Sequence, residues 1–191
     1  TITGNTGSAV NINGATSIES IGNSVSGNAI NAIEVRGSNI TRDVVWKEID
    51  MSYIVTGNIN IYKSGTEAAV LTVEPGVEVR INSECGIWVG SSTQKGALCA
   101  QGTAEKPIKF TSNQETHTAG YWRAIYYQST ADASKSGLEY CTIEYGGNYD
   151  KANVHLKQPV PIRNCTIRKS SVDGIYSSVN VAVEGCTITE N

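Results

Sequence analysis

A tripeptide that returns at nearly regular intervals constrains this chain more than anything else in it. Cys-Thr-Ile occurs at Cys141–Ile143, Cys165–Ile167 and Cys186–Ile188, with 24 and then 21 residues between successive cysteines. A period of about 20–25 residues belongs to solenoids, in which each repeat forms one turn of a coil. Related phrases without the cysteine occur earlier, in "IGNSVSGN" (Ile21 to Asn28) and "GSNITRD" (Gly37 to Asp43). Helical solenoids need amphipathic runs of about 10 residues or more in each repeat, and the chain has none. Leucine-rich repeats need several Leu per turn, and Leu is scarce. What remains is an all-β fold, a parallel β-solenoid with two or three short strands per turn.

The stacking logic is direct. Residues two apart in a strand share a face, so Cys and Ile of each phrase point one way and Thr the other. With turns about 4.8 Å apart, the cysteines form one interior ladder, the isoleucines another, and the threonines an exterior row. Neighbouring Cβ atoms at that spacing are too distant for a disulfide, which wants about 3.5–4.5 Å. Cys141, Cys165 and Cys186 are therefore expected as buried thiols, while Cys85 and Cys99 remain able to pair. Zinc is not expected: there is no CxxC, and His117 and His155 are the only histidines. No metal and no other cofactor is assigned. Asn23, Asn39 and Asn164 are expected at bends, where their amides satisfy backbone groups.

Composition supports short strands with tight corners: 19 glycines, one Met and one Phe. Alternating runs are "VLTVEPGVEVRI", "PIKFTS", "NVHLKQPVPI" and "VNVAVEG". "EPG" and "KSG" mark corners, and longer insertions are expected at 113–120, 129–136 and 147–152. With 39% apolar residues and 17% charged, the chain is neither a disordered tail nor a membrane protein. No run approaches the roughly 18 apolar residues of a membrane span. A net charge of −3 with scattered bases excludes a nucleic-acid footprint.

From Val45 to about Gly147 the chain carries, in order, "LTVEPGVEV", "GALCAQGTAEKPIKFTS", "GYWRAIYY" and "LEYCTIEYGG". These phrases in this order resemble surface and secreted proteins of bacteria and archaea built from right-handed parallel β-helix repeats, within the pectate-lyase-like β-helix superfamily. The resemblance implies a right-handed coil, one domain over residues 1–191, and a place outside the cell or on its surface. Within that domain it marks Asn/Gly-rich coils at 1–44, a core with loop insertions at 45–147 and regular coils at 148–191. Relatives of the fold include pectate lyases, alginate lyases and epimerases, beside members of no assigned activity. Fold alone transfers no reaction.

A lyase would need a base, with acids holding Ca²⁺; a glycoside hydrolase would need two facing carboxylates. The acids that might converge are Glu139, Glu144 and Asp150, with Arg123, Lys151, Arg168 and Lys169 as bases. Alternation turns Glu144 and Arg168 outward on neighbouring turns, and a surface ion pair worth little is favoured over a catalytic pair. In "YWRAIYY" it sets Trp122, Ala124 and Tyr126 on one face and Tyr121, Arg123, Ile125 and Tyr127 on the other. Sugar rings stack on exposed aromatics. The candidate binding residues are Trp122, Arg123, Tyr126, Glu144, Tyr145, Asp150 and Arg168, with no catalytic residue assigned.

The expected function is a non-catalytic extracellular module, a structural or adhesive part of a surface protein that binds polysaccharide. The alternative is a lyase or epimerase acting on uronic-acid polymers; third come a self-stacking solenoid and an ice-binding one, the latter weakened by charges among the threonines. "TITGN" and "TITEN" at the two ends read as the same phrase of the coil, uncapped at both ends. Partners expected from this are polysaccharide, other β-helix segments, or copies of the chain end to end, the chain being favoured as a piece of a larger surface protein.

Overall fold

The computed structural model describes residues 1–19 and 22–191; Ile21, which opens the phrase "IGNSVSGN", lies outside the described residues. Three strands come first, β1 (Ile2–Thr3), β2 (Ser8–Asn13) and β3 (Val25–Ser26). Turns of three strands follow, beginning with β4 (Ile30–Arg36), β5 (Ser38–Ile40) and β6 (Val44–Trp46). The next are β7 (Tyr53–Val55), β8 (Ile59–Ile61), β9 (Ala69–Val73), then β10 (Glu78–Ile81), β11 (Ile87–Val89), β12 (Gly96–Gln101). The central turn is β13 (Ile108–Ser112), β14 (Ile125–Tyr127) and β15 (Gly137–Glu139). After it come β16 (Cys141–Glu144), β17 (Ala152–Leu156), β18 (Ile162–Arg163), and β19 (Thr166–Arg168), β20 (Asp173–Ser177), β21 (Val183–Glu184), before β22 (Thr187–Thr189).

Each turn lays one strand on each of three faces. The first face is an eight-stranded parallel sheet, β2-β4-β7-β10-β13-β16-β19-β22. The second is six-stranded, β5-β8-β11-β14-β17-β20, and so is the third, β6-β9-β12-β15-β18-β21. The result is a right-handed parallel β-helix forming one domain. Among the described residues no helix is long and apolar enough to cross a membrane.

The core is a set of in-register columns. On the first face Ile33, Tyr53, Val79, Phe110, Ile143 and Ile167 stand over one another, each buried to 1% exposure or less. On the third, Trp46, Val73, Ala100, Leu138 and Ile162 do the same. Fully burying one such aliphatic side chain contributes about 1.5–3 kcal/mol, so the stacked interior is the main source of stability.

The recurrent tripeptide is explained by its corners. Thr142, Thr166 and Thr187 pair across consecutive rungs, which puts the three cysteines and the three isoleucines in register inside. The residue before each cysteine is left-handed: Tyr140 (φ 45°), Asn164 (φ 51°) and Gly185 (φ 63°). So is the fourth residue after it: Tyr145 (φ 66°), Lys169 (φ 54°) and Glu190 (φ 55°). Each phrase is a short strand held between two one-residue bends. Cys141 and Cys165 are buried, as expected, and Cys186 is half-buried at the last rung, where Ile188 is 47% exposed. All five cysteines are free thiols, Cys85 and Cys99 included.

Four expectations need correction. "TITGN" and "TITEN" are not one phrase of the coil: β1 pairs with β3 in a separate two-stranded sheet, while β22 ends the first face. Four shared residues are too few to specify a rung. "GSNITRD" is not a relative of Cys-Thr-Ile either, because its strand β5 lies on the second face. Asn39 is accordingly in mid-strand, accepting from Asn60 Nδ2 at 3.1 Å, not at a bend; Asn164 does sit at one. The insertions fall between strands as expected, except that Ala152 already begins β17.

Candidate functional site

The outer side of the first face carries a ladder of charges. Lys109 Nζ lies 3.8 Å from Glu78 Oε1 and 3.3 Å from Glu144 Oε1. Arg168 reaches Glu144 Oε2 from the next rung with Nε and Nη2, both at 2.8 Å, and Thr111 Oγ1 donates to Oε1 at 3.1 Å. Glu144 and Arg168 are thus neighbours, as alternation requires, but not as a surface pair: the Glu144 side chain is only 3% exposed. Beside it the 113–120 insertion folds down, His117 sharing a hydrogen bond with Ser112 Oγ at 2.6 Å and stacking on Tyr145 at 4.8 Å. Burial alone would raise the Glu144 pKa; Arg168, Lys109 and Thr111 outweigh it and hold the carboxyl below its ordinary range.

The outer side of the second face is aromatic. Asn39, Asn60, Trp88, Tyr126, His155 and Tyr176 occupy one outward register column. Tyr126 stacks on His155 (centroids 4.1 Å apart, planes at 12°), and Tyr176 meets His155 edge-on at 4.9 Å. Cations lie on these rings: Arg123 over Trp88 at 4.9 Å, Lys157 over Tyr126 at 5.3 Å and Lys151 over Tyr176 at 4.3 Å. Burial lowers the His155 pKa, and Lys157 and Lys151 add to this against the Asp150 carbonyl, so the ring is neutral at physiological pH.

The bend between these faces joins them. Asp150 is buried and takes Arg123 in a bidentate pair, Nε–Oδ2 2.6 Å and Nη2–Oδ1 3.1 Å. Left-handed residues cluster here: Tyr145, Gly147 (φ 95°), Tyr149 (φ 64°) and Lys151 (φ 70°). Gly146 fits because its neighbours leave no room, since a Cβ there would stand 2.7 Å from Asn153 Oδ1 and 2.9 Å from the Trp122 ring. Asn153, wholly buried, accepts from Gly146 N at 2.7 Å and donates to Arg168 O at 2.8 Å.

The residues singled out from sequence therefore divide. Glu144, Tyr145 and Arg168 border the first face; Arg123, Tyr126 and Asp150 belong to the second. Trp122 belongs to neither surface. It is 0% exposed and donates from Nε1 to Glu144 O at 2.9 Å, so it offers no ring to a ligand. Strict alternation fails because a corner intervenes: Trp122 and Ala124 point in, and so do Ile125 and Tyr127, leaving Tyr126 outward. Tyr176 and the alignment of Trp88 and His155 with Tyr126 escaped the sequence reading. Their signal is a second recurrent phrase, "GIWV" at 86–89, "AIYY" at 124–127, "NVHL" at 153–156 and "GIYS" at 174–177. It puts a small or amide residue, then Ile or Val, before each outward ring.

No curated protein and no solved structure matches the chain. The family model of the pectate-lyase-like β-helix domain matches residues 38–156, enclosing the stretch from Val45 to Gly147 whose phrases carried the resemblance and well over half of the chain. With the stacked parallel sheets, that match places the chain in a family: it belongs to the pectate-lyase-like β-helix domains.

Proposed function

We propose that this domain is a non-catalytic carbohydrate-binding module of an extracellular or cell-surface protein, and that polysaccharide lies along its second face. One observation carries the reading: the outward column Trp88, Tyr126, His155 and Tyr176, a continuous aromatic strip along the coil axis. Each ring combines an apolar body with a polar tip, the combination that meets both the C–H faces and the hydroxyls of a sugar. Of the inner rings, Tyr126 is half-buried and His155 is buried between Tyr126 and Tyr176. Trp88 and Tyr176, at the ends of the strip, are half-buried, with Arg123 and Lys151 over their rings. Lys151 and Lys157 are exposed and, among the described residues, form no ion pair, which suits a polymer bearing carboxylates.

A lyase reading is weaker on chemical grounds. Elimination needs a free base beside the substrate; on the first face Lys109 and Arg168 pair with Glu144 and Arg80 with Glu78, and Arg123 pairs with Asp150. This leaves Lys151 and Lys157 beside the second face as the bases such a reading would need.

Electrophoresis through gels containing polygalacturonate, alginate or a neutral glucan tests the proposal. Retardation is expected in an acidic polymer, weakening with salt. Tyr126→Ala and Tyr176→Ala should each raise Kd roughly 10-fold, the effect of losing one contact side chain. Equal mobility in every gel would end the binding reading. Formation of unsaturated product, lost in Lys151→Ala or Lys157→Ala, would replace it with the lyase.

A further inference from the structure

Tyr149 is the one aromatic side chain of this protein that stands in solvent. Every other Trp, Tyr and Phe is buried or half-buried, whereas Tyr149 is 79% exposed. Among the described residues its ring neither stacks on another nor carries a cation. A single exposed ring needs no explanation by itself. This one stands on a backbone that opposes it, with φ at 64°, a conformation that glycine or asparagine adopts readily and a bulkier residue resists. Such strain persists only where the surroundings enforce it, and it collects at ligand-binding positions.

The surroundings of Tyr149 do enforce it. Before it, Gly147 N donates to Arg123 O at 2.6 Å and Asn148 N to Trp122 O at 3.1 Å. After it, Asp150 is buried and holds Arg123 through both oxygens, and its carbonyl lies 3.2 Å from His155 Nδ1. Lys151 O accepts from Asp173 N at 3.0 Å. With both neighbours anchored, the backbone that presents the ring is fixed before any ligand arrives, which lowers the ordering cost of binding.

These anchors also set the ring beside the aromatic strip. Asp150 meets His155, and Lys151 Nζ lies over Tyr176 at 4.3 Å, so Tyr149 stands on the bend next to the last two rungs of the strip. Hydrogen-bonding groups are close by. Lys151 is exposed, and the exposed Ser171 of the next rung lies against Gly147, where a Cβ would be 3.3 Å from its hydroxyl. Val172, 53% exposed, adds an apolar edge. An apolar ring among polar groups suits a sugar, whose C–H face stacks while its hydroxyls are hydrogen-bonded.

We propose that Tyr149 is a further ligand-contact residue, a role that rests on the carbohydrate-binding reading and extends it. Its ring stacks on one sugar unit of the polysaccharide bound along the second face, in a subsite reached from Tyr176 across Lys151. A polymer that meets both rings leaves the coil axis at the Tyr176 rung and crosses the bend toward the first face. The strained backbone is kept because a glycine there would have no ring to offer.

The test returns to gels containing polygalacturonate, alginate or a neutral glucan. Tyr149→Ala and Tyr149→Gly should each raise Kd about 3–10-fold, the effect of losing one stacked ring, while Tyr149→Phe keeps most of the affinity. Urea melts of the same variants separate this from misfolding, since the glycine variant should bind more weakly without being less stable. On the unmutated chain, tetranitromethane should nitrate Tyr149 first, and the polymer that retards the chain should protect it. Retardation that is weakened by Tyr126→Ala but unchanged by Tyr149→Ala, or nitration of Tyr149 that the bound polymer does not slow, would overturn this role and leave the carbohydrate reading standing. Equal mobility in every gel would overturn both.

Discussion

At the scale of single residues, the bends between strands are where this protein departs most from ordinary backbone preference. Left-handed φ is costly for residues with a Cβ, about 1–2 kcal/mol each, and the chain accepts it at Tyr140, Tyr145, Lys151 and Lys169. Most of these side chains return something. Tyr145 stacks on His117, and Lys169 donates to the Tyr145 hydroxyl at 3.3 Å. Tyr149 differs, being 79% exposed with φ 64°. Tyr149→Gly should therefore raise stability by about 0.5–1 kcal/mol, strain relief exceeding the added unfolded-state entropy, whereas Tyr149→Ala keeps the strain and gains nothing. Urea melts of both variants check this; a loss in the glycine variant would mean that the exposed ring makes a contact worth keeping. None of these bends could be read from composition, because Tyr and Lys are not turn residues. Asn164 announces itself because its side chain tolerates the conformation, and Gly65, Gly76, Gly147 and Gly185 because glycine has no Cβ to strain.

At the scale of elements, the two outer faces behave differently with pH. Glu144 has its folded pKa held below the ordinary 4.5, so its contribution is complete above that value and is lost as pH falls through the lower folded one. His155 has its pKa lowered from 6.5 by burial. Below about that pH the unfolded chain takes a proton that the folded chain resists, so stability again falls toward acid. Both shifts have the same sign, and the urea midpoint should decline as pH drops below about 6.5, then more steeply below about 4.5. Glu144→Gln should cost about 1.5–3 kcal/mol at neutral pH, the worth of hydrogen bonds to a charged group, and should flatten the second decline. An unchanged acid limb in that variant would show that Glu144 does not govern it. Sequence alternation was enough to bring Glu144 and Arg168 together on adjacent rungs. It could not show that Glu144 is buried, because that depends on Lys109 from the preceding rung and on the insertion that sets His117 against Tyr145.

At the scale of the whole molecule, each turn touches only its neighbours, so stability is close to a sum of rung terms and interfaces between rungs. The central turn of β13, β14 and β15 is covered on both sides, whereas the last rung leaves Val183 40% and Ile188 47% exposed. Amide hydrogen exchange should be slowest in the central strands and fastest in β21 and β22. Ile167→Ala, which removes a fully buried side chain, should cost about 2–5 kcal/mol and release protection from β19 onward while β7 to β12 keep theirs. Uniform loss along the chain would show instead that the coil opens as one unit.

What the sequence settled by itself was the coil: its period, the inward pairing of cysteine with isoleucine and the outward turn of threonine follow from strand alternation applied to a repeated phrase, and both are local properties. Which side chains share a surface was decided only by tertiary structure. Trp122 and Tyr126 look like partners four residues apart, but a corner between them sends one inward and the other into a column with Trp88, His155 and Tyr176. Rung-to-rung neighbours are 21 to 38 residues apart along these columns, and insertions of unequal length make that interval irregular, so no fixed spacing in the chain records which residue will lie above which.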